Sequence, residues 1–272
     1  NPGPVGSWNE RKADTGDTVL FRNGAAWLYH SGQDAAGIDA IGLHVSRTGS
    51  LEGPWVDSTQ SPLLRRGPAG SWDDGGVAHP SVMPVDGGFA MYYSGSGQPG
   101  TQIGIATSED GLAFTPASAG PVPSPGPDGA WDAGGVDHPS VTWDGHLFVM
   151  AYRGWSAIAA SDVESRIGIA TSPDGLRWTK HPANPVLRTG APGAWDDYGL
   201  LAPRIWYEAG VYHLNYSAKH SVASSVGHAT AYALDSWVKD PRNPIIDAAR
   251  TRWIELERGD RRTDGWMASG TC

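Results

Sequence analysis

Cysteine is almost missing from the chain. Cys272 is the only one, so an internal disulfide and a cysteine-built zinc cluster are both excluded. One cysteine suits a cytosolic protein or an exported bacterial one equally. Charge is sparse at 18% of residues, and positive charge is sparser still, with Lys+Arg 20 against Asp+Glu 29. The formal net charge of −9 argues against a nucleic-acid partner, which calls for a basic stripe. It also disfavours anionic membranes and polyanionic substrates. No apolar run approaches the ~20 residues that a membrane-spanning helix needs. The sequence starts at Asn1 rather than Met. The expectation is therefore a processed or trimmed product that has lost an export signal, which favours a secreted or periplasmic location slightly over the cytoplasm.

What the chain does have is punctuation and aromatics. Its 272 residues hold 37 Gly and 21 Pro, which suit many short strands joined by turns better than a helical bundle. With 13 Trp and 9 Tyr it is too aromatic to be disordered. At this length it can bury a real core.

The chain also repeats. Gly70-Ser-Trp-Asp-Asp-Gly-Gly-Val-Ala-His-Pro-Ser-Val82, Gly129-Ala-Trp-Asp-Ala-Gly-Gly-Val-Asp-His-Pro-Ser-Val141 and Gly193-Ala-Trp-Asp-Asp-Tyr-Gly-Leu-Leu-Ala-Pro-Arg-Ile205 nearly superimpose, and a worn copy starts at Gly6. The leading residues Trp8, Trp72, Trp131 and Trp195 are 64, 59 and 64 positions apart. Each copy continues with an aromatic-rich strand, such as Ala90-Met-Tyr-Tyr-Ser-Gly95, and then a small-residue strand, such as Ile103-Gly-Ile-Ala-Thr-Ser108. A turn and an outer strand close the unit. Period-2 patterning, Asp-Gly turns and four strands per unit predict the blades of a β-propeller.

The expected architecture is all-β: one propeller domain over 1–272 with four-stranded antiparallel blades near 8–67, 68–126, 127–190 and 191–247. A fifth blade is expected from 248–272 together with 1–7, closed by both termini. A four-bladed ring is the alternative.

Ser50-Leu-Glu-Gly-Pro-Trp55, the Ile-Gly-Ile-Ala-Thr-Ser strands, Ser172-Pro-Asp-Gly-Leu-Arg-Trp178 and Asn184-Pro-Val-Leu187 resemble the five-bladed propeller glycoside hydrolases, the superfamily of families 43, 32, 62, 68, 117 and 130. The resemblance covers nearly the whole chain. It implies an axial funnel where three acidic residues from successive blades act as general base, pKa modulator and general acid, mostly on furanosides and related glycosides. This chain departs from that triad. The family 43 base and modulator sit in Asp-Pro steps, where this chain has His79-Pro80 and His138-Pro139. The family's acid sits in a Glu-Gly-Pro step, where this chain has Leu201-Ala202-Pro203. A register shifted by one blade instead places Asp14 or Asp17, His79, and Asp137 or His138 at the three positions.

Residue by residue, Asp14 and Asp137 share one offset from their tryptophans, which puts both carboxylates at the mouth of the funnel. Asp17 follows Asp14 closely. A carboxylate there is a base or acid for glycoside chemistry, or else a loop cap. His79 and His138 flank the axis; an imidazole transfers protons near neutral pH, or it serves as a structural member of the repeat. The long loop from Arg153 to Arg166 offers Glu164 as a replacement acid. Arg153, Trp155, Tyr198, Arg204 and His220 are candidate substrate contacts, with Trp155 a stacking platform. Asp73, Asp132 and Asp196, present in three units alike, are expected to accept turn amides, and the tryptophans to wedge between blades. No cofactor and no metal are expected, two histidines without a firm third ligand being a weak metal signal. The partner expected is a carbohydrate or other small molecule, with no nucleic acid and no membrane; the oligomeric state is open. Three activities follow: a glycoside hydrolase-like enzyme using carboxylate and histidine acid–base catalysis, a non-hydrolytic enzyme performing proton transfer, elimination or cyclisation on the same scaffold, or a non-catalytic carbohydrate-binding propeller.

Overall fold

Alternating short apolar and small residues, broken by glycine turns, produce strands and nothing else: no helix occurs among the described residues. The computed structural model describes residues 2–13, 18–98, 100–117, 120–156, 164–220 and 223–247. They form four antiparallel sheets. The first contains β1 (Lys12–Ala13), β2 (Thr18–Arg22), β3 (Ala25–Gln33), β4 (Asp39–Ser46) and β5 (Val56–Asp57), with β1 and β2 both pairing along β3. The second runs β6 (Gly76–Val85), β7 (Gly88–Ser96), β8 (Gln102–Ser108), β9 (Thr115–Pro116). The third is β10 (Gly135–Trp143), β11 (Phe148–Trp155), β12 (Arg166–Ser172), β13 (Thr179–Lys180), and the fourth β14 (Gly199–Glu208), β15 (Val211–His220), β16 (Ala223–Ala231), β17 (Val238–Lys239).

These are propeller blades in sequence order. The second strand of the second and third blades is buried on both faces because a neighbouring blade lies on either side. Successive sheets share apolar clusters: Tyr29, Ile41 and Leu43 meet Val77, Met91 and Tyr93, and Ile167 and Ile169 meet Leu214 and Tyr216. Blades are also clasped by tyrosines. Tyr29 donates its hydroxyl to Gly111 O in the next blade, and Tyr92 to Gly175 O, each at 3.0 Å.

The repeated Trp and Gly explain one another. Each leading indole lies flat on its own sheet against glycines: a Cβ on Gly95 would meet Trp72 at 2.3 Å, and one on Gly42 would meet Trp8 at 2.2 Å. The aspartates after the tryptophans do not act as expected. They are buried and take side-chain partners: Tyr93 donates to Asp73, Tyr152 and Lys180 meet Asp132, and Lys239 pairs with Asp196. The turn amides go one residue further along, to Asp74 from Gly70 and to Asp197 from Gly193.

Four blades are observed, which is the alternative count and not the expected five. The segment assigned to the fifth, 248–272 including Cys272, lies outside the described residues. Among the described residues, no strand of the fourth blade touches a strand of the first.

Candidate axial site

The innermost strands of the second, third and fourth blades break their pairing at the same place. The register slips between Ala78 and Ser81, between Asp137 and Ser140, and between Leu201 and Arg204. The residue thrown out is His79, His138 or Ala202, with φ of 53°, 48° and 44°. Non-glycine residues seldom hold this left-handed backbone, and it costs about 1–3 kcal/mol where it persists. Bulges of this kind re-aim side chains. Here they turn two imidazoles from adjacent blades onto one another, the His79 and His138 rings stacking at 3.6 Å between centroids.

Hydroxyls hold this arrangement. Ser31 Oγ accepts the His79 N–H at 2.8 Å, and Ser94 Oγ accepts the His138 N–H at 2.9 Å. Both serines sit in the blade before the histidine they bind. One step further along, Thr18, Ser81 and Ser140 repeat the device, accepting the backbone N–H of Val82, Val141 and Ile205 at 3.0 to 3.1 Å. Arg204 occupies the same place in the fourth blade and donates to Pro203 O. A cavity of about 220 Å³ opens between these residues.

The third blade carries the charge. Asp137 and Arg153 are cross-strand partners, and their side chains meet as a fork: Nε to Oδ1 at 2.7 Å and Nη2 to Oδ2 at 2.6 Å. Both are buried. Bidentate pairing of this kind gives a short, charge-assisted bond with fixed geometry. His138 Nδ1 lies 3.0 Å from Asp137 Oδ1, without the alignment of a ring N–H hydrogen bond. Burial on its own would raise the Asp137 carboxyl; His138 and Arg153 outweigh it and hold the group below the usual carboxylate range. His79 moves the other way from its ordinary value near 6.5. Burial, then the neighbouring His138, push its imidazole well down, so it is neutral at pH 7. Its Nδ1 is buried with no hydrogen-bond partner among the described residues. Beneath the bulges, then, an ionised carboxylate is locked to a guanidinium beside a pair of stacked imidazoles.

The other predicted site residues are scattered. Trp155 is buried at 7% exposure, with the Arg153 guanidinium 4.9 Å over its ring, so that face is occupied and is no open platform for a sugar. Tyr198 is exposed beside the start of β14, and its carbonyl accepts the Glu164 N–H at 2.7 Å. The Glu164 side chain is 64% exposed and 3.6 Å from Arg166. His220 closes β15, and its side chain is not among those described. Asp14, Asp17 and most of the third-blade loop, 157–163, lie outside the described residues. Ser31 and Ser94 were missed by the sequence reading. Their signal is the recurring small step in His30-Ser-Gly32, Tyr93-Ser-Gly95 and Tyr216-Ser217, which Arg153 breaks in Tyr152-Arg-Gly154.

Taken with the fold, these features define a propeller on the scaffold of the glycoside hydrolases. No family model matches the chain. It is 29% identical over 258 residues to the uncharacterised protein Rv1502 of Mycobacterium tuberculosis, covering 92% of this chain and 79% of that protein. Among solved structures, it is similar to a protein described with the family 130 mannoside phosphorylases and glycoside hydrolases that target β-1,2 mannosidic linkages. That match has a TM-score of 0.68 at 17% identity over 87% of this chain and 72% of the other. A thermostable family 43 glycoside hydrolase matches with a TM-score of 0.63 at 19% identity over 90% and 77%. At such identities the likeness defines the fold alone.

Proposed function

We propose that the chain is a carbohydrate-active enzyme that works on a glycoside in its axial cup. The observation that carries this reading is the His79–His138 stack set against the Asp137–Arg153 fork. Two strained bulges and two serine latches preorganise these groups, where structural packing alone would tolerate apolar residues.

Asp137 has no proton to give at neutral pH. Its part is to position His138 and to stabilise positive charge on that ring, as a carboxylate does beside a catalytic imidazole. Proton donation to the leaving oxygen then falls to His138, while the neutral His79 is placed to accept a proton. Activation of water falls to Asp14 or Asp17, Asp14 having in the sequence the same offset from Trp8 as Asp137 has from Trp131. Arg204, Tyr198 and His220 are the groups left to grip the sugar, since Arg153 is committed to Asp137. Glu164, exposed and facing Arg166, is the weaker candidate for the acid. The same reading takes the open side between the fourth and first blades as the place of a fifth blade built from 248–272.

A non-hydrolytic activity has one observation in its favour. Among the described residues at the three bulges, Asp137 is the one carboxylate, and Arg153 holds it. A histidine-driven elimination or proton transfer needs no second acid. Incubation with plant, microbial and fructan polysaccharides and aryl furanosides, read by mass spectrometry, separates the two. Hydrolysis adds water across the bond and releases a reducing sugar; elimination leaves an unsaturated product lighter by one water.

A further inference from the structure

A second cluster of ionisable side chains lies in the first blade, on the face opposite the one that packs against the second. It is best understood through the repeat. In the third blade Trp131 packs on Tyr152, the Tyr152 hydroxyl donates to Asp132, and Lys180 of the outer strand pairs with that same carboxylate. Ala170 lies across from Lys180. The fourth blade has the same row in Trp195, Tyr216, Asp196, Ala229 and Lys239. In the first blade the tryptophan stays and every other member changes. Asn9 stands for the aspartate, His30 for the tyrosine, His44 for the alanine and Asp57 for the lysine. The packing logic of the row is gone, and what replaces it is two nitrogen donors and one oxygen donor.

We propose that His30, His44 and Asp57 bind a divalent transition-metal ion, with zinc the best fit. One donor atom from each lies within 4.8 Å of the others. His30 is wholly buried, and its Nδ1 is 3.0 Å from Ser31 O. A carbonyl only accepts, so Nδ1 carries the proton and Nε2 is the nitrogen that would meet an ion. Metal-ligating histidines are typically oriented through the other nitrogen in this way. Trp8 donates its indole N–H to Asp57 Oδ2 at 3.3 Å, which orients the carboxylate and leaves Oδ1 for an ion. Two imidazoles and a carboxylate are a zinc donor set, with water as the fourth ligand in a tetrahedral site. Asp57 is exposed and gives access from solvent. The His30 and His44 rings stack at 4.1 Å and 13°. Closure around an ion tilts the half-buried His44 and swings Asp57 inward, while His30 stays fixed.

The test is calorimetric titration of zinc chloride into the full, chelator-treated chain, with the visible absorption of the cobalt(II) form as a geometric readout. A single sub-micromolar site, a raised melting temperature and tetrahedral cobalt bands are expected. His44→Ala installs the residue that the other three blades carry at this place, so it should fold. It and the exposed Asp57→Asn should each weaken zinc binding by more than about tenfold. His79→Gln/His138→Gln should leave binding unchanged, which keeps this site separate from the axial one. Affinity weaker than micromolar in the unaltered chain overturns the proposal. So does binding that survives both His44→Ala and Asp57→Asn, or binding lost with the axial histidines.

Discussion

Asp137 shows how far a single position could be read. Its offset from Trp131, matching that of Asp14 from Trp8, pointed to the funnel mouth; in the structure it is buried at the bulge of β10. Its partner was not legible. Arg153 was read as a substrate grip because nothing local links it to Asp137; only the pairing of β10 with β11 brings them together. Two consequences follow. Arg153→Ala leaves a buried carboxylate uncompensated and should cost about 3–5 kcal/mol in chemical denaturation. The pH dependence of stability should also have two windows. His79 has a lowered folded pKa, so the unfolded chain binds the extra proton, and stability falls as pH drops below about 6.5. Asp137 has a depressed carboxyl pKa, so its contribution is present above about 4 and is lost as pH falls further toward the folded value. Thermal melts from pH 8 to 3 should show a flatter upper window in His79→Gln and a flatter lower one in Asp137→Asn. An unchanged upper window in His79→Gln would mean that His79 is not buried neutral.

At the scale of the strand, period-2 patterning and Asp-Gly turns were enough to find the blades. The bulge was not visible as such, although His-Pro-Ser and Ala-Pro-Arg mark its place once the φ values are known. The hydroxyls that tie one blade to the next were also overlooked, since a serine in a strand reads as neutral. Ser140→Ala removes the acceptor of the Ile205 N–H and leaves a buried donor unpaired, at a cost of about 1–3 kcal/mol. Equilibrium unfolding in urea would measure it, and a change near zero would show that the latch is dispensable. The tryptophan–glycine contacts make a sharper case. Gly95→Ala drives a methyl into Trp72 and should destabilise by a further ~1–3 kcal/mol, although alanine has the better strand propensity. A neutral Gly95→Ala would mean that the indole does not lie on the sheet.

For the whole molecule, self-similarity carried the architecture, because each copy is a supersecondary unit that buries its faces only by stacking on the next. The blade count did not follow as directly. Four units are complete in the sequence and four sheets are seen, whereas a fifth rested on weaker strands at the chain's two ends. Among the described residues the fourth blade makes no strand contact with the first. Deleting 248–272 should lower the melting temperature by at least ~5 °C if those residues form the fifth blade; an unchanged temperature would set that blade aside. The function was the least legible, because the same repeat that announces the fold also supplies His79 and His138, which read equally as structural members of it. Asp73, Asp132 and Asp196, expected to accept turn amides, prove instead to be internal partners for tyrosine and lysine.

The most direct test of the axial cup is a side-by-side assay of the unaltered chain and His138→Gln against the glycan and aryl-glycoside panel, with circular dichroism confirming that both fold. The cup predicts a product from the unaltered chain and a loss of turnover of at least ~100-fold in the variant, the usual scale of an acid–base group. A product formed at the same rate by both, or no product from either, would contradict it.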